Sequence, residues 1–285
     1  MMKKIFGQIY IWIILLLMYL PVLVLIAFSF TEATNVGEWT GFTFNLYPAL
    51  FQNKQIMVAL GNTLLIALIS AICSTFLGTL GAIGAFYLKR KMKNTVDFMT
   101  QIPLVNAEIV VAFSLTVMFV FLGTYIFKED LFSFWTLLIG HMCLSLPFVF
   151  VSVKPKLQQM DPSLYEAAID LGASPTTALR KVIIPEIMPG ILSGFLLSIT
   201  LSLDDFIVTA FIRGPGLLSG AAKIETLSTL VQAKIKKGPI PVEMRALTTI
   251  IFLLVVLAVI GVTLYRNHMN KKVRVLRRAI YHAEK

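Results

Sequence analysis

Three carboxylates stand inside apolar sequence in this chain: Glu108, Asp204 and Asp205. Ionisable side chains in such runs are costly unless they face a cavity, water or a partner. No Lys or Arg shares the core of an apolar run with them, and His141 is the one residue there that could become cationic. A lone histidine among Gly140, Met142 and Leu144 reads as a hydrogen-bonded packing residue. Ser198, Ser202, Asp205 and Thr209 recur at spacings of 4, 3 and 4, which predicts one polar face on a continuous helix. Asp204 then lies about 100° round that helix from Asp205. Asp205 is the stronger candidate for a water-filled path, and Asp204 either caps a neighbouring helix end or shares the site. Glu108 follows Pro103 and Asn106. Proline there frees backbone groups, which is tolerated where neighbours or water satisfy them. Two chemistries fit these acids: attraction of a cationic solute, or hydrogen bonds that bind helices together. We favour the cation. With helix centres near residues 200 and 113, Asp205 and Glu108 should lie roughly 15 Å apart along the membrane normal. That spacing suits an elongated cation charged at both ends.

A second stretch, residues 161–185, is polar but flanked by hydrophobic runs. It predicts two short helices with a break between them. Asp161 can cap the first and Pro162 suits its first position. Leu164, Ala167, Ala168 and Leu171 form one apolar face. Gly172 supplies the left-handed residue that ends a helix. Ser174 and Pro175 repeat the start signal, and Pro185 closes the second helix. The first helix, roughly 15 Å long, is too short to cross a bilayer and marginal alone. It is best explained as something held against a partner.

The elements that position these residues are membrane spans. The chain is 57% hydrophobic and only 14% charged, against about 25% charged in soluble domains. Six apolar runs are long enough to span, at about 9–30, 59–87, 102–124, 131–153, 187–212 and 246–266. The first resembles a signal peptide, with Lys3 and Lys4 before it, but runs on too long without a small-residue cleavage site. Gly78, Gly81 and Gly84 in the second allow close helix approach. With both termini inside, 17 of the 25 Lys and Arg fall on inner segments, as the positive-inside rule requires. The discordant segment is the long basic outer loop 213–245. There Gly214-Pro215-Gly216 predicts a turn, Ile224, Leu227, Leu230 and Val231 a short interfacial helix, with a re-entrant segment as the lesser alternative, and Gly238-Pro239-Ile240-Pro241 its end. The net charge of +10 clusters at span ends and in the tail after Tyr265, so it points to lipid headgroups and not to nucleic acid. Cys73 and Cys143 read as packing residues.

The polar stretch carries a resemblance. Glu166-Ala167-Ala168, then Gly172, then Val182, Ile184 and Pro185 resemble the EAA loop of bacterial ABC-importer permeases, with Val182 and Ile184 as conservative replacements. Asn62-Thr63 resembles the opening of that family's core. The third span and Ser202-Leu203-Asp204-Asp205 look like the spermidine/putrescine branch, and the likeness runs over about residues 55–285. It implies an all-α, six-span permease of the MetI-like type with a cytoplasmic coupling helix. Residues 1–58 would hold the first span and outer loop, 59–266 the core with the EAA loop at 154–186, and 267–285 a basic cytoplasmic tail. Glu166, Ala167, Ala168, Gly172 and Pro185 would serve ATPase coupling. Glu108, Asp204 and Asp205, with Ser198 and Ser202, would serve the substrate pathway.

The resemblance further implies partners: an ATPase dimer on the cytoplasmic side, a second homologous permease, and an extracellular or periplasmic substrate-binding protein. ATP and Mg would bind the ATPase and no cofactor this chain. The location would be the bacterial inner or plasma membrane, with both termini cytoplasmic. The chain has no G-x-x-x-x-G-K-[ST], H-E-x-x-H or G-x-S-x-G, so P-loop nucleotide binding and the common hydrolase sites are not expected. Its three histidines, two of them in the tail, make a metal site improbable. The expected function is therefore half of an ATP-driven polyamine pathway. The alternatives are an importer for a sugar or metal ion, or a stand-alone ion-coupled transporter using the acids as proton sites.

Overall fold

The computed structural model describes residues 2–34, 37–161, 163–214, 223–237, 241–257 and 260–261. Among them the regular structure is entirely helical. In chain order the helices are α1 (Met2–Phe28), α2 (Leu46–Gln52), α3 (Lys54–Phe86), α4 (Arg90–Val105) and α5 (Glu108–Phe121). Then come α6 (Phe134–Gln159), α7 (Ser163–Asp170), α8 (Pro175–Ala178), α9 (Ile184–Asp204), α10 (Ile207–Ile212) and α11 (Leu227–Lys237). A twelfth, α12, covers 243–257. Two compact units result, one from Met1–Lys54 with Lys234–Lys285 and one from Gln55–Ala233.

Five helical runs among the described residues are long and apolar enough to cross a membrane: Gly7–Phe28, Lys54–Phe86, Glu108–Phe127, Phe134–Gln159 and Pro175–Asp204. The expected sixth, at 246–266, lies partly outside the described residues, as do Pro162, most of the Gly214-Pro215-Gly216 and Gly238–Pro241 turns, and the basic tail. In the first unit, α1 carries exposed apolar side chains along its length. Arg245 at the start of α12 donates to the carbonyls of Ala33 and Thr34 at 2.7 and 2.9 Å, which holds the loop that follows α1.

The second unit holds both candidate sites. Its core has two centres. Ala82, Val149, Val153, Leu157, Ile183 and Ile187 bring α3, α6 and the start of α9 together. Ile66, Ala112, Phe119, Leu137, Val208 and Ile212 do the same for α3, α5, α6 and α10. Helices approach this closely only where side chains are absent. A Cβ on Gly194 would sit 3.1 Å from the Val149 Cα, and one on Gly190 would sit 2.9 Å from the Ser152 carbonyl oxygen. Of the four glycines in α3, Gly78 alone makes such an approach, 2.8 Å to Val149; Gly81 has Phe150 at 3.8 Å, and Gly61 and Gly84 have nothing within 4 Å.

Two spans differ from the sequence expectation, each for a local backbone reason. The third does not begin at 102. Asn106 and Ala107 are extended, so the amphipathic α4 ends and α5 starts afresh at Glu108. Apolar residues on both sides of that break hide it in a hydropathy window. The fifth does not run through to 212, because Asp205 leaves helical conformation at ψ 124° and α10 begins anew. Its start is also earlier. Pro185 does not end the second polar-loop helix, because Leu179–Ile183 widens into a π turn and the helical run continues from Pro175 to Asp204. A π register shifts the carbonyls past the proline ring, which α-helical spacing would not.

Candidate functional site

Residues 161–185 fold into a projecting corner. Asp161 accepts the Ser163 backbone N–H at 3.0 Å, and the Ser163 amide and hydroxyl together hold its carboxyl below the usual carboxylate range. At the other end of α7, Gly172 takes φ 83°. Its N–H donates to the Ile169 carbonyl at 2.8 Å, and that of Ala173 to the Ala168 carbonyl at 3.0 Å. These are both bonds of a Schellman cap, so Ala168 and Gly172 cooperate in one turn. Ser174 then caps α8 by accepting the Thr177 N–H at 3.3 Å, with Pro175 in the first turn. The face predicted to meet a partner is open: no α7 residue is buried, Leu164 is 41% exposed and Leu171 89%. Glu166, Ala167 and Pro185 are exposed as well. Tyr165 holds the helix to the bundle by packing against Tyr87, with ring centroids 6.1 Å apart and the planes tilted by 55°.

The three acids converge elsewhere. Glu108 is the first residue of α5, and Asp205 separates α9 from α10. The two carboxyl groups meet, with Asp204 close by. The predicted separation of roughly 15 Å is therefore corrected. It assumed two unbroken helices, and both are broken at the acids. Asp204 is exposed, whereas Asp205 is only 4% exposed. Asp205 is also the capping residue, the role predicted for Asp204. Its Oδ1 accepts the Val208 N–H at 3.0 Å, and its Oδ2 accepts the Thr209 N–H at 2.9 Å and hydroxyl at 2.8 Å. Because the helix stops at Asp205, the predicted stripe from Ser198 to Thr209 is not one helical face.

The hydroxyls of that stripe are committed to neighbouring helices. Ser198 bonds Ser74 at 2.7 Å. Ser202 accepts from Ser70 at 3.1 Å and bonds His141 Nδ1 at 2.8 Å. His141, 1% exposed, reaches Thr209 Oγ1 from Nε2 at 3.0 Å. His141 is thus buried and hydrogen-bonded, in keeping with the packing role expected from sequence, but the partners themselves are not expected from it. Its partners lie far along the chain on α9 and α10, so no local spacing signals them. Sequence reading also placed 224–231 at the lipid interface. Instead Ile224 and Leu230 are each 1% exposed, and the segment is bonded inward. Asn62 Nδ2 donates to the Glu225 carbonyl at 2.9 Å, the Leu227 N–H to Thr63 at 2.9 Å, and the Ser228 hydroxyl to the Asp205 carbonyl at 2.6 Å.

One feature borders the acids, and a second lies beside α5 without being lined by them. The carbonyl ends of α4 and α9 fall at the two breaks, and helix C-termini carry partial negative charge. A groove of about 640 Å³ also opens beside α5, lined by Thr100, Asn106, Val110, Ser114 and Cys143. Cys143 is thus exposed and not the buried packing residue expected. Amphipathic α4 forms one wall and is tied to α6 by the Lys154–Asp97 ion pair at 2.8 Å. No cluster of three His, Cys, Asp or Glu side chains suited to a metal occurs among the described residues.

Residues 74–275 match the family model for the binding-protein-dependent transport system inner membrane component. The spermidine/putrescine transport system permease protein PotC of Escherichia coli K12 is 35% identical over 254 residues, 89% of this chain and 91% of that protein. The putrescine transport system permease protein PotI of the same organism is 34% identical over 235 residues, 82% of this chain and 81% of its own. Among solved structures, a bacterial ABC transporter involved in import of the acidic polysaccharide alginate aligns with a TM-score of 0.72. That match has 16% identity and covers 91% of this chain and 95% of that one, a likeness of fold.

Proposed function

The chain belongs to the family of binding-protein-dependent transport system inner membrane components, and on that premise we propose that it is one permease subunit of an ATP-driven importer of spermidine or putrescine. The convergence of Glu108, Asp204 and Asp205 at two helix breaks carries the substrate class. Clustered carboxylates repel one another when ionised, and a cation held by Glu108 and Asp204 relieves that repulsion. Glu108 and Asp204 are the direct contacts. Asp205, Ser198 and Ser202 hold the break from behind. The methylene segments of a polyamine suit the largely hydrocarbon walls of the groove beside α5.

The chain contributes positioning and electrostatics, and it performs no chemistry on the solute. Glu166, Ala167, Ala168 and Gly172 present α7 to a groove in an ATPase subunit, which binds ATP and Mg. Exposed Leu164 and Leu171 are the apolar anchors. ATP binding draws two such subunits together, and α7 carries that motion into the spans, so that access alternates between the two faces. One coupling corner serves one ATPase subunit. A second, similar permease therefore completes the path, and an extracellular or periplasmic binding protein delivers the solute. The termini and α7 face the cytoplasm of a bacterial cell. Uptake of labelled spermidine and putrescine tests the reading, in cells lacking their own polyamine import and supplied with this permease and its partners. Saturable polyamine uptake that excess sugar does not compete is expected. Sugar uptake without polyamine uptake would sink the proposal.

A further inference from the structure

The acids described above are held from behind by a run of buried hydroxyls and one imidazole. With Asp205 ionised and His141 neutral, the direction of each hydrogen bond between them follows, Ser70 sharing its proton with the Ala67 carbonyl at 3.2 Å. Thr209 Oγ1 donates its proton to Asp205 Oδ2 at 2.8 Å. Its oxygen can then only accept from His141 Nε2 at 3.0 Å, so the imidazole carries its proton on Nε2. His141 Nδ1 is left as an acceptor, and the Ser202 hydroxyl supplies the proton at 2.8 Å. Ser202 in turn accepts from Ser70 at 3.1 Å. The chain of donation runs Ser70, Ser202, His141, Thr209, Asp205. It starts on α3, crosses α9 and α6, and ends on the carboxylate that caps α10. Every member is at least nine-tenths buried, and His141 Nε2 itself lies 3.4 Å from Asp205 Oδ2.

We propose that His141 is the positioning residue of the acid cluster: it joins Ser202, near the end of α9, to Thr209 on α10, and so fixes the break that presents Asp204 beside Glu108. The mechanical need is specific. At the break α9 and α10 are joined only by Asp205 and Phe206, and backbone bonds alone leave the angle between them free. Among the described hydrogen bonds, the Asp205 carboxylate closes the first turn of α10 and bonds no side chain of α9. Imidazole is rigid, and its two nitrogens point apart, so it bridges the hydroxyls of two helix segments at once. Gly140, just before it, lets α10 come close: a Cβ there would fall 2.7 Å from Val208 Cγ1. Because the acids are the cation site of the proposed polyamine path, this inference rests on that reading for its transport readout.

The test uses the assembled permease–ATPase complex, with His141→Leu, His141→Gln, Thr209→Val and the His141→Leu, Thr209→Val pair. Putrescine uptake is expected to show KM raised about fivefold, the scale of one hydrogen bond, for His141→Leu and for Thr209→Val, with maximal rate per recovered complex retained. His141→Gln, which keeps a donor near Thr209, should recover most of the wild-type KM. The pair should fall well short of the product of the two single effects, since both cut the His141–Thr209 bond, while each also loses one bond of its own. Multiplying effects, or a fall in maximal rate with KM unchanged, would overturn the assignment. Deuterium uptake over residues 205–212 gives a readout that needs no substrate. Faster exchange in both single variants is expected, and unchanged exchange would overturn the proposal. A wild-type complex that takes up no polyamine would reject the substrate reading, and the exchange measurement would still decide the role of His141.

Discussion

The carboxyl of Glu108 meets that of Asp205, although one opens α5 and the other closes α9. Each acid lies at a helix break, so the contact joins two interruptions in the spans and leaves exposed Asp204 at the edge of the cluster. The pairing separates the acids by role. Asp205 spends its oxygens on Val208 and Thr209, while the described hydrogen bonds leave Asp204 and Glu108 for a solute.

Glu108→Gln and Asp204→Asn should each raise the KM for polyamine by about tenfold, in line with one charge-assisted contact. The amount of assembled complex should stay level. Asp205→Asn should instead lower the thermal stability of the complex by about 1–3 kcal/mol, because one carboxylate oxygen becomes an NH2 that cannot accept from Val208 or Thr209. Uptake kinetics and thermal unfolding in detergent distinguish the two. Unchanged kinetics in the Glu108→Gln, Asp204→Asn double variant would reject these acids as cation contacts.

Gly172→Val should uncouple transport while leaving the protein in the membrane. The residue sits at φ 83°, where a β-branched side chain is strained by about 1–2 kcal/mol or more. A Cβ there meets no atom within 4 Å, so the effect is conformational and confined to the cap of α7. Co-purification of the ATPase subunit should fall. Normal co-purification with normal uptake would remove α7 from the coupling role.

Gly190→Ala should destabilise the α6–α9 contact by about 1–3 kcal/mol, because its Cβ would press on the Ser152 carbonyl at 2.9 Å. Gly84→Ala, with open space around it, should be neutral or stabilise by up to about 1 kcal/mol through helix propensity. Thermal unfolding of the two variants side by side checks this. Equal shifts would mean that helix approach at Gly190 is looser than described.

Cysteines at positions 170 and 40 should report opposite sides of the membrane. The charge bias places 170 inside and 40 outside. Impermeant thiol labelling of intact cells, after replacement of Cys73 and Cys143, should mark position 40 alone. Labelling at 170 would reverse the orientation and detach α7 from a cytoplasmic ATPase.

The sequence alone determined whatever depends on composition and near neighbours. Apolar run length set the helical membrane class, since a bilayer requires backbone bonds to close within each segment. Asp161, Gly172, Ser174 and Pro175 announced the corner at α7 because caps are formed by residues within four positions of each other. Tertiary structure alone decided the candidate pathway. Asn106 and Asp205 end helices inside apolar runs, and hydropathy averages across such breaks. A helical wheel drawn through Asp205 therefore assigned Ser198, Ser202 and Thr209 to one open face, when their hydroxyls bond Ser74, His141 and Asp205. Which hydroxyl finds which partner depends on how α3, α6, α9 and α10 pack. That packing turns on close approaches such as Gly194 to Val149, set by the shape of two distant surfaces and by no local spacing.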